Sequence, residues 1–122
     1  MIQANHIGVL VRDLDAVLPS IPASCAIHEA EEHASEGTRE RYVTFEDESQ
    51  PDLLLMQAIA PGPYQRALGK RGPGLHHIGC ACPSIRAEIE TGGIGNLLLH
   101  PMSLETVEKY NTVWLCRPGV PF

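Results

Sequence analysis

The sequence predicts an α+β fold built from two copies of one strand-led module, and three features of the chain predict it. The first is a duplication. Asn5-His6-Ile7-Gly8-Val9-Leu10-Val11 alternates its side chains by two, and His76-His77-Ile78-Gly79-Cys80-Ala81-Cys82 repeats the alternation and the His-Ile-Gly tripeptide 71 positions later. The second is that each copy runs on into a helix-compatible stretch, Asp15 to Leu18 in one case and Arg86 to Glu90 in the other. The third is a series of short alternating runs separated by polar turns, for which meander pairing is the simplest topology. With 122 residues, 43% hydrophobic and 20% charged, the chain has the composition of one globular domain, residues 1–122. Within it, module one covers about residues 1–60, a connector residues 61–75 and module two residues 76–122.

In chain order, the strand from Asn5 to Val11 comes first, followed by a short helix over Asp15 to Leu18 that Pro19 and Pro22 end. Three strands are expected next, over Ala26 to Glu31, Arg39 to Glu46 and Asp52 to Ile59. Ser35-Glu36-Gly37-Thr38 turns between the first two, and Glu46-Asp47-Glu48-Ser49-Gln50-Pro51 between the last two. The connector holds a short helix after Pro61-Gly62-Pro63 and closes at Gly72-Pro73-Gly74. In the second module, strands are expected over Asn96 to His100 and Thr112 to Cys116, with a helix-leaning stretch from Ser103 to Tyr110 between them. Only Gly119-Val120-Pro121-Phe122 is left for the last strand, which is therefore expected to be truncated.

Nine basic against fifteen acidic residues give a formal charge of −6, so a nucleic-acid partner or an anionic membrane surface is not expected. No run of about 18 apolar residues and no leader pattern occurs, which makes a cytoplasmic location the expectation. Cys25, Cys80, Cys82 and Cys116 form no zinc-finger spacing and read as reduced core thiols. Gly69-Lys70 lacks the rest of a phosphate loop, and no Gly-x-Ser-x-Gly elbow occurs.

Strand parity sorts the candidates for chemistry. His6, Gly8 and Leu10 share one face, and Ile7, Val9 and Val11 share the other, which packs on the helix. His77, Gly79 and Ala81 repeat the first set, leaving Ile78, Cys80 and Cys82 on the helix side. A pseudo-twofold between the modules brings His6 and His77 together over small residues, making a pocket with two imidazoles. His76 has the opposite parity and reads as structural.

These paired strand openings resemble the vicinal oxygen chelate superfamily, which includes glyoxalases, bleomycin-resistance proteins and extradiol dioxygenases. The connector from Tyr64 through Lys70-Arg71-Gly72-Pro73-Gly74-Leu75-His76-His77-Ile78 is similar in particular to that of methylmalonyl-CoA epimerase-like members. The resemblance spans Asn5 to about Pro118 and implies two βαβββ modules, glyoxalase-like, the second with a truncated last strand. It also implies a divalent metal ion held by two histidines and two carboxylate or amide groups, with His6 and His77 in the histidine positions. The corresponding fourth-strand position aligns with Leu54, which has no donor atom; Asp52, of the same parity, is the remaining candidate ligand. The other ligand, a glutamate in the last strand, falls beyond Phe122. Family epimerases use glutamates as proton-transfer bases, and Glu36, just before Gly37, is the catalytic candidate.

Two functions follow. One is a metal-dependent lyase or isomerase of the glyoxalase or epimerase type, acting on a small oxygenated or thioester substrate. The other is a non-catalytic small-molecule-binding module with a degenerate metal site, for which Leu54 and the early end of the chain speak. A third possibility is that a second chain fills the open sheet edge left by the incomplete last strand, and a homodimer is then expected.

Overall fold

A polar start that gives way to the apolar, β-branched run Ile7 to Val11 makes the first nine-residue strand, and a mixed sheet is assembled around it. The computed structural model describes residues 1–95 and 97–116. Strand β1 (Gln3–Val11) is followed by β2 (Ala26–Ile27), β3 (Glu31–His33), β4 (Thr38–Thr44) and β5 (Asp52–Ala58). Helix α1 (Pro63–Arg71) leads to β6 (Gly74–Ala81). After α2 (Ile85–Glu90) come β7 (Leu98–Leu99), α3 (Ser103–Tyr110) and β8 (Leu115–Cys116). The main sheet has the order β2-β4-β5-β1-β6, with β3 also beside β4. β1 runs parallel to β5, whereas β4 pairs antiparallel with β2, β3 and β5.

Both faces of this sheet are covered. On one, Leu10, Leu54, Met56 and Tyr64 form a cluster with Ala67 and Leu68 of α1 packed against it. On the other, Val11, Leu14, Val43 and Leu55 are joined by Val17, Ile21 and Cys25. The second cluster is the expected one, since Val9 and Val11 face the segment after β1. The first corrects an expectation: the face that carries His6 and Leu10 is covered in part by the connector helix, because Tyr64, Ala67 and Leu68 recur at helical spacing. Proline at its first turn, Lys70 and Arg71 in its last turn, and Gly72 at φ 74° delimit α1.

Four local expectations also change. Asp15 to Leu18 is a turn rather than a helix, capped by the Asp13 carboxylate, which accepts from the Asp15 and Ala16 amides at 2.9 and 3.2 Å. A single 3-10 turn, Leu18–Ser20, follows, because proline at position 19 supplies no amide hydrogen and biases Leu18 away from the α region. The strand expected over Ala26 to Glu31 is split into β2 and β3, and the Arg41 guanidinium donates to the His28 carbonyl at 2.8 Å in the gap. Among the described side chains the thiols are free, but only Cys25 packs against a core cluster: Cys82 is partly buried and Cys80 exposed, and the side chain of Cys116 lies outside the described residues. At the end of the sheet order, β6 also leaves Ile78 at 59% exposure.

Two compact units are formed, residues 4–80 and residues 1–3 with 81–122. The smaller contains α2, capped by the Ser84 hydroxyl, which accepts from the Ala87 amide at 3.2 Å. Its two-stranded sheet pairs Leu98 with Cys116 and Leu99 with Leu115. The buried Ser103 hydroxyl there accepts from the Trp114 amide at 2.8 Å and donates to its carbonyl, tying α3 to the segment before β8. β7 and β8 are shorter than expected; Asn96 and the expected last strand at Gly119 to Phe122 lie outside the described residues. No helix among the described residues is long and apolar enough to cross a membrane.

Candidate functional site

Strand register decides which side chains share a surface. In β1 and β5, His6 is opposite Asp52, Gly8 opposite Leu54 and Leu10 opposite Met56. Continuing into β4, Leu54 is opposite Tyr42, Met56 opposite Glu40 and Ala58 opposite Thr38. Directly opposed residues point to the same face of a sheet. One face of the 4–80 unit therefore presents His6, Asp52, Tyr42 and Glu40 around the apolar patch of Leu54, Leu10 and Met56. Gln57 lies on the other face, where its side-chain oxygen accepts the Leu14 amide at 2.9 Å.

β6 adds His77 to this face. Its ring lies over Gly8, where a Cβ would come within 2.5–2.8 Å of ring atoms; His6 in turn covers Gly79, where a Cβ would overlap the ring. Each histidine thus covers the glycine two residues beyond the other, and only glycine leaves room. The two rings meet edge to face with Nε2 atoms 3.1 Å apart. His6 Nδ1 is 2.9 Å from Asn5 Oδ1, and the Tyr42 ring stands edge-on at 6.3 Å.

Parity reasoning missed His76. Its ring packs at 4.9 Å on Tyr64, and its Nδ1 is 2.9 Å from His77 Nδ1. Alternation constrains the direction of Cβ, whereas Nδ1 lies two bonds further on and can meet the neighbouring ring. Three imidazoles are therefore linked in series.

Burial holds them neutral. His77 is pushed down to about 4, first by loss of water and then by His76 and His6. His6 is lowered by desolvation against the opposing pull of Glu40 and Asp52, and His76 by desolvation and Arg71. Neutral imidazole is the form that ligates a metal or takes up a proton.

Glu40 is the second residue that sequence reasoning misses, because it stands in an acid-rich stretch that reads as a solvated face. Its side chain is 11% exposed, accepts from the Thr38 hydroxyl at 2.7 Å and lies 3.6 Å from His33 Nε2. Its position opposite Met56, readable only once β4 and β5 are paired, is the signal that finds it. Glu36 occupies the turn at residues 34–37, outside the sheet face. Its carboxyl is raised by desolvation and then by the charge of Glu40. Tyr64 is pushed up to about 12 by burial and then by these two glutamates, so its hydroxyl keeps its proton.

Two nitrogens 3.1 Å apart have the spacing of adjacent ligands on one ion, since bonds of about 2.0–2.1 Å place such neighbours roughly 3 Å apart. Among the described residues no group of three or more His, Cys, Asp or Glu forms a complete set. The pair therefore fits part of a coordination shell for an ion that accepts imidazole, and Asp52 stands next to His6 in register without completing it.

No protein-family model matches the chain, and no curated protein matches it. Solved structures do. A hypothetical protein from Bacillus halodurans C-125 superposes with a TM-score of 0.68 at 23% identity, over 80% of this chain and 71% of that one. Methylmalonyl-CoA epimerase from Mycobacterium tuberculosis gives 0.67 at 21%, over 80% and 67%. A variant of the Streptomyces coelicolor methylmalonyl-CoA epimerase in complex with 2-nitronate-propionyl-CoA gives 0.63 at 20%, over 80% and 74%. The chain has the fold of the methylmalonyl-CoA epimerases. It is an α+β fold with a mainly antiparallel sheet. At these identities the likeness is one of fold.

Proposed function

We propose that this chain is an enzyme of the vicinal oxygen chelate type, an epimerase-like isomerase or a lyase acting on a small oxygenated or thioester substrate. The observation that carries this reading is the convergence of His6 Nε2 and His77 Nε2 at 3.1 Å, on the same sheet face as the half-hidden carboxylate of Glu40. His6, His77 and Asp52 would hold a divalent ion. Such an ion, when bound, would polarise a substrate carbonyl and acidify the hydrogen beside it.

The protein's own residues supply the rest. Neutral imidazoles offer lone pairs without charge repulsion. Glu40, partly withdrawn from water and positioned by Thr38, is the base for a hydrogen alpha to a carbonyl. Glu36 is its partner: its carboxyl is raised by burial and then by the charge of Glu40, which favours its protonated form. The apolar floor of Leu10, Leu54 and Met56 excludes water beneath them.

The same reading includes two βαβββ modules, the second with a truncated last strand, and a soluble cytoplasmic homodimer without nucleic-acid or membrane partners. The reciprocal covering of Gly8 by His77 and Gly79 by His6 supports the duplication. Leu75 at 64% and Ile78 at 59% exposure, on the strand that ends the sheet, support pairing with a second copy.

The test combines metal analysis with isotope exchange. Protein purified without chelator should carry a divalent ion that His6→Ala and His77→Ala each release. With methylmalonyl-CoA in deuterated water, it should exchange the C2 hydrogen in a chelator-sensitive way. Absence of any divalent ion in every preparation overturns the metal reading and leaves a small-molecule-binding module; a bound ion without exchange on any thioester or alpha-keto substrate overturns the isomerase.

A further inference from the structure

We infer that His76, His77, His6 and Asn5 form a hydrogen-bond relay of one polarity, in which His76 is a positioning residue that decides which nitrogen of His77 is unprotonated. The chain of contacts is continuous: 2.9 Å from His76 Nδ1 to His77 Nδ1, 3.1 Å from His77 Nε2 to His6 Nε2, and 2.9 Å from His6 Nδ1 to Asn5 Oδ1.

Its direction follows from the chemistry of its end. An amide oxygen can only accept, so His6 carries its proton on Nδ1. A neutral imidazole has a single N–H, so each ring of the series can donate only once, and rings this close repel one another when charged. His6 Nε2 is therefore an acceptor, and the hydrogen between the two Nε2 atoms belongs to His77. His77 Nδ1 is then an acceptor in its turn, and the hydrogen between the two Nδ1 atoms belongs to His76. Three donors meet three acceptors with no net charge. The reverse polarity would require the Asn5 amide to turn over and present its nitrogen to His6 Nδ1 in place of the oxygen seen here.

One consequence rests on the reading above that the two Nε2 atoms hold an ion. His6 already presents an unprotonated Nε2, but His77 does not. For both to ligate, the His77 proton must pass from Nε2 to Nδ1, and the His76 proton must pass from Nδ1 to its own Nε2, so that His76 becomes the acceptor. The proton count stays at three. The ease of that reversal sets metal affinity, as partners behind a ligating histidine generally do.

Long-range 1H–15N spectra of the metal-free full chain at neutral pH read the three rings directly. The expected protons are on Nδ1 of His6, Nε2 of His77 and Nδ1 of His76; the opposite set, or a mixture of the two, overturns the relay. In His76→Asp the carboxylate can only accept, so His77 becomes protonated on Nδ1, and Co2+ or Zn2+ should bind about tenfold more tightly. His76→Phe keeps a ring on Tyr64 but no nitrogen, and should bring no such gain. If His77 keeps an unprotonated Nδ1 in His76→Asp, the positioning role of His76 is wrong. If the wild-type rings show the expected protons but neither ion binds, the metal reading fails and the relay stands.

Discussion

At the scale of single residues, the proposed reaction would give the two glutamates separable roles. Glu40 is a strand residue on the histidine face, held by Thr38, whereas Glu36 sits in the turn before it and would act through Glu40. Glu40→Gln should reduce alpha-hydrogen exchange by about a hundredfold or more, the range that loss of a general base brings, and Glu36→Gln by less. Exchange rates in deuterated water check this, and the opposite ranking would make Glu36 the base. The histidines also make stability depend on pH. Each has a folded-state pKa below its ordinary value of 6.5, His77 down to about 4, so on acidification the unfolded chain takes up protons first. Their stabilising effect is complete above about pH 6.5 and is lost as the pH falls towards 4. Unfolding free energies from urea titrations at neutral pH and about pH 5 should differ by about 1–2 kcal/mol, after allowance for solvent screening of half-buried rings. His77→Gln should flatten that difference.

At the scale of elements, glycine separates the site from the scaffold. Gly79 in β6 lies beneath the His6 ring, and an added Cβ has no room there. Gly79→Ala should cost about 1–3 kcal/mol through overpacking, push His6 off its partner and weaken metal binding. Gly69, on an exposed turn of α1, has nothing within 4 Å of where an added methyl group would stand. Gly69→Ala should stabilise by about 0.5–1 kcal/mol through better helix propensity and leave the pair untouched. Thermal melts of both variants give the contrast, and a neutral Gly79→Ala would show that the strands are not so closely matched. The same elements explain where local reading failed. Asp15 to Leu18 has helix-compatible residues, yet a capping Asp13 on one side and Pro19 on the other leave no space for a full α-turn.

For the whole molecule, charge and edge surface bear on association. The net charge of −6 disfavours polyanionic partners, whereas β6 ends the main sheet with Leu75 and Ile78 largely exposed. Equilibrium sedimentation should show a dimer that Ile78→Glu shifts towards monomer. A monomer at every concentration removes the dimer from the proposal.

Sequence alone determined the strand-led repeat and the facing of His6 and His77, because alternation and tripeptide identity are local properties of the chain. It also determined the turn and helix signals of the connector, where Pro63 opens α1 and Gly72 closes it. Tertiary structure decided what those side chains touch. That α1 covers the histidine face depends on how a helix folds back over the sheet, and that Glu40 shares this face depends on the pairing of β4 with β5. The contacts of His77 with both His6 and His76 depend on β6 lying beside β1 and on ring atoms beyond Cβ. Periodicity records the direction in which each side chain leaves its own strand; the neighbours it meets, and the water it loses, are set by pairings between segments far apart in the chain.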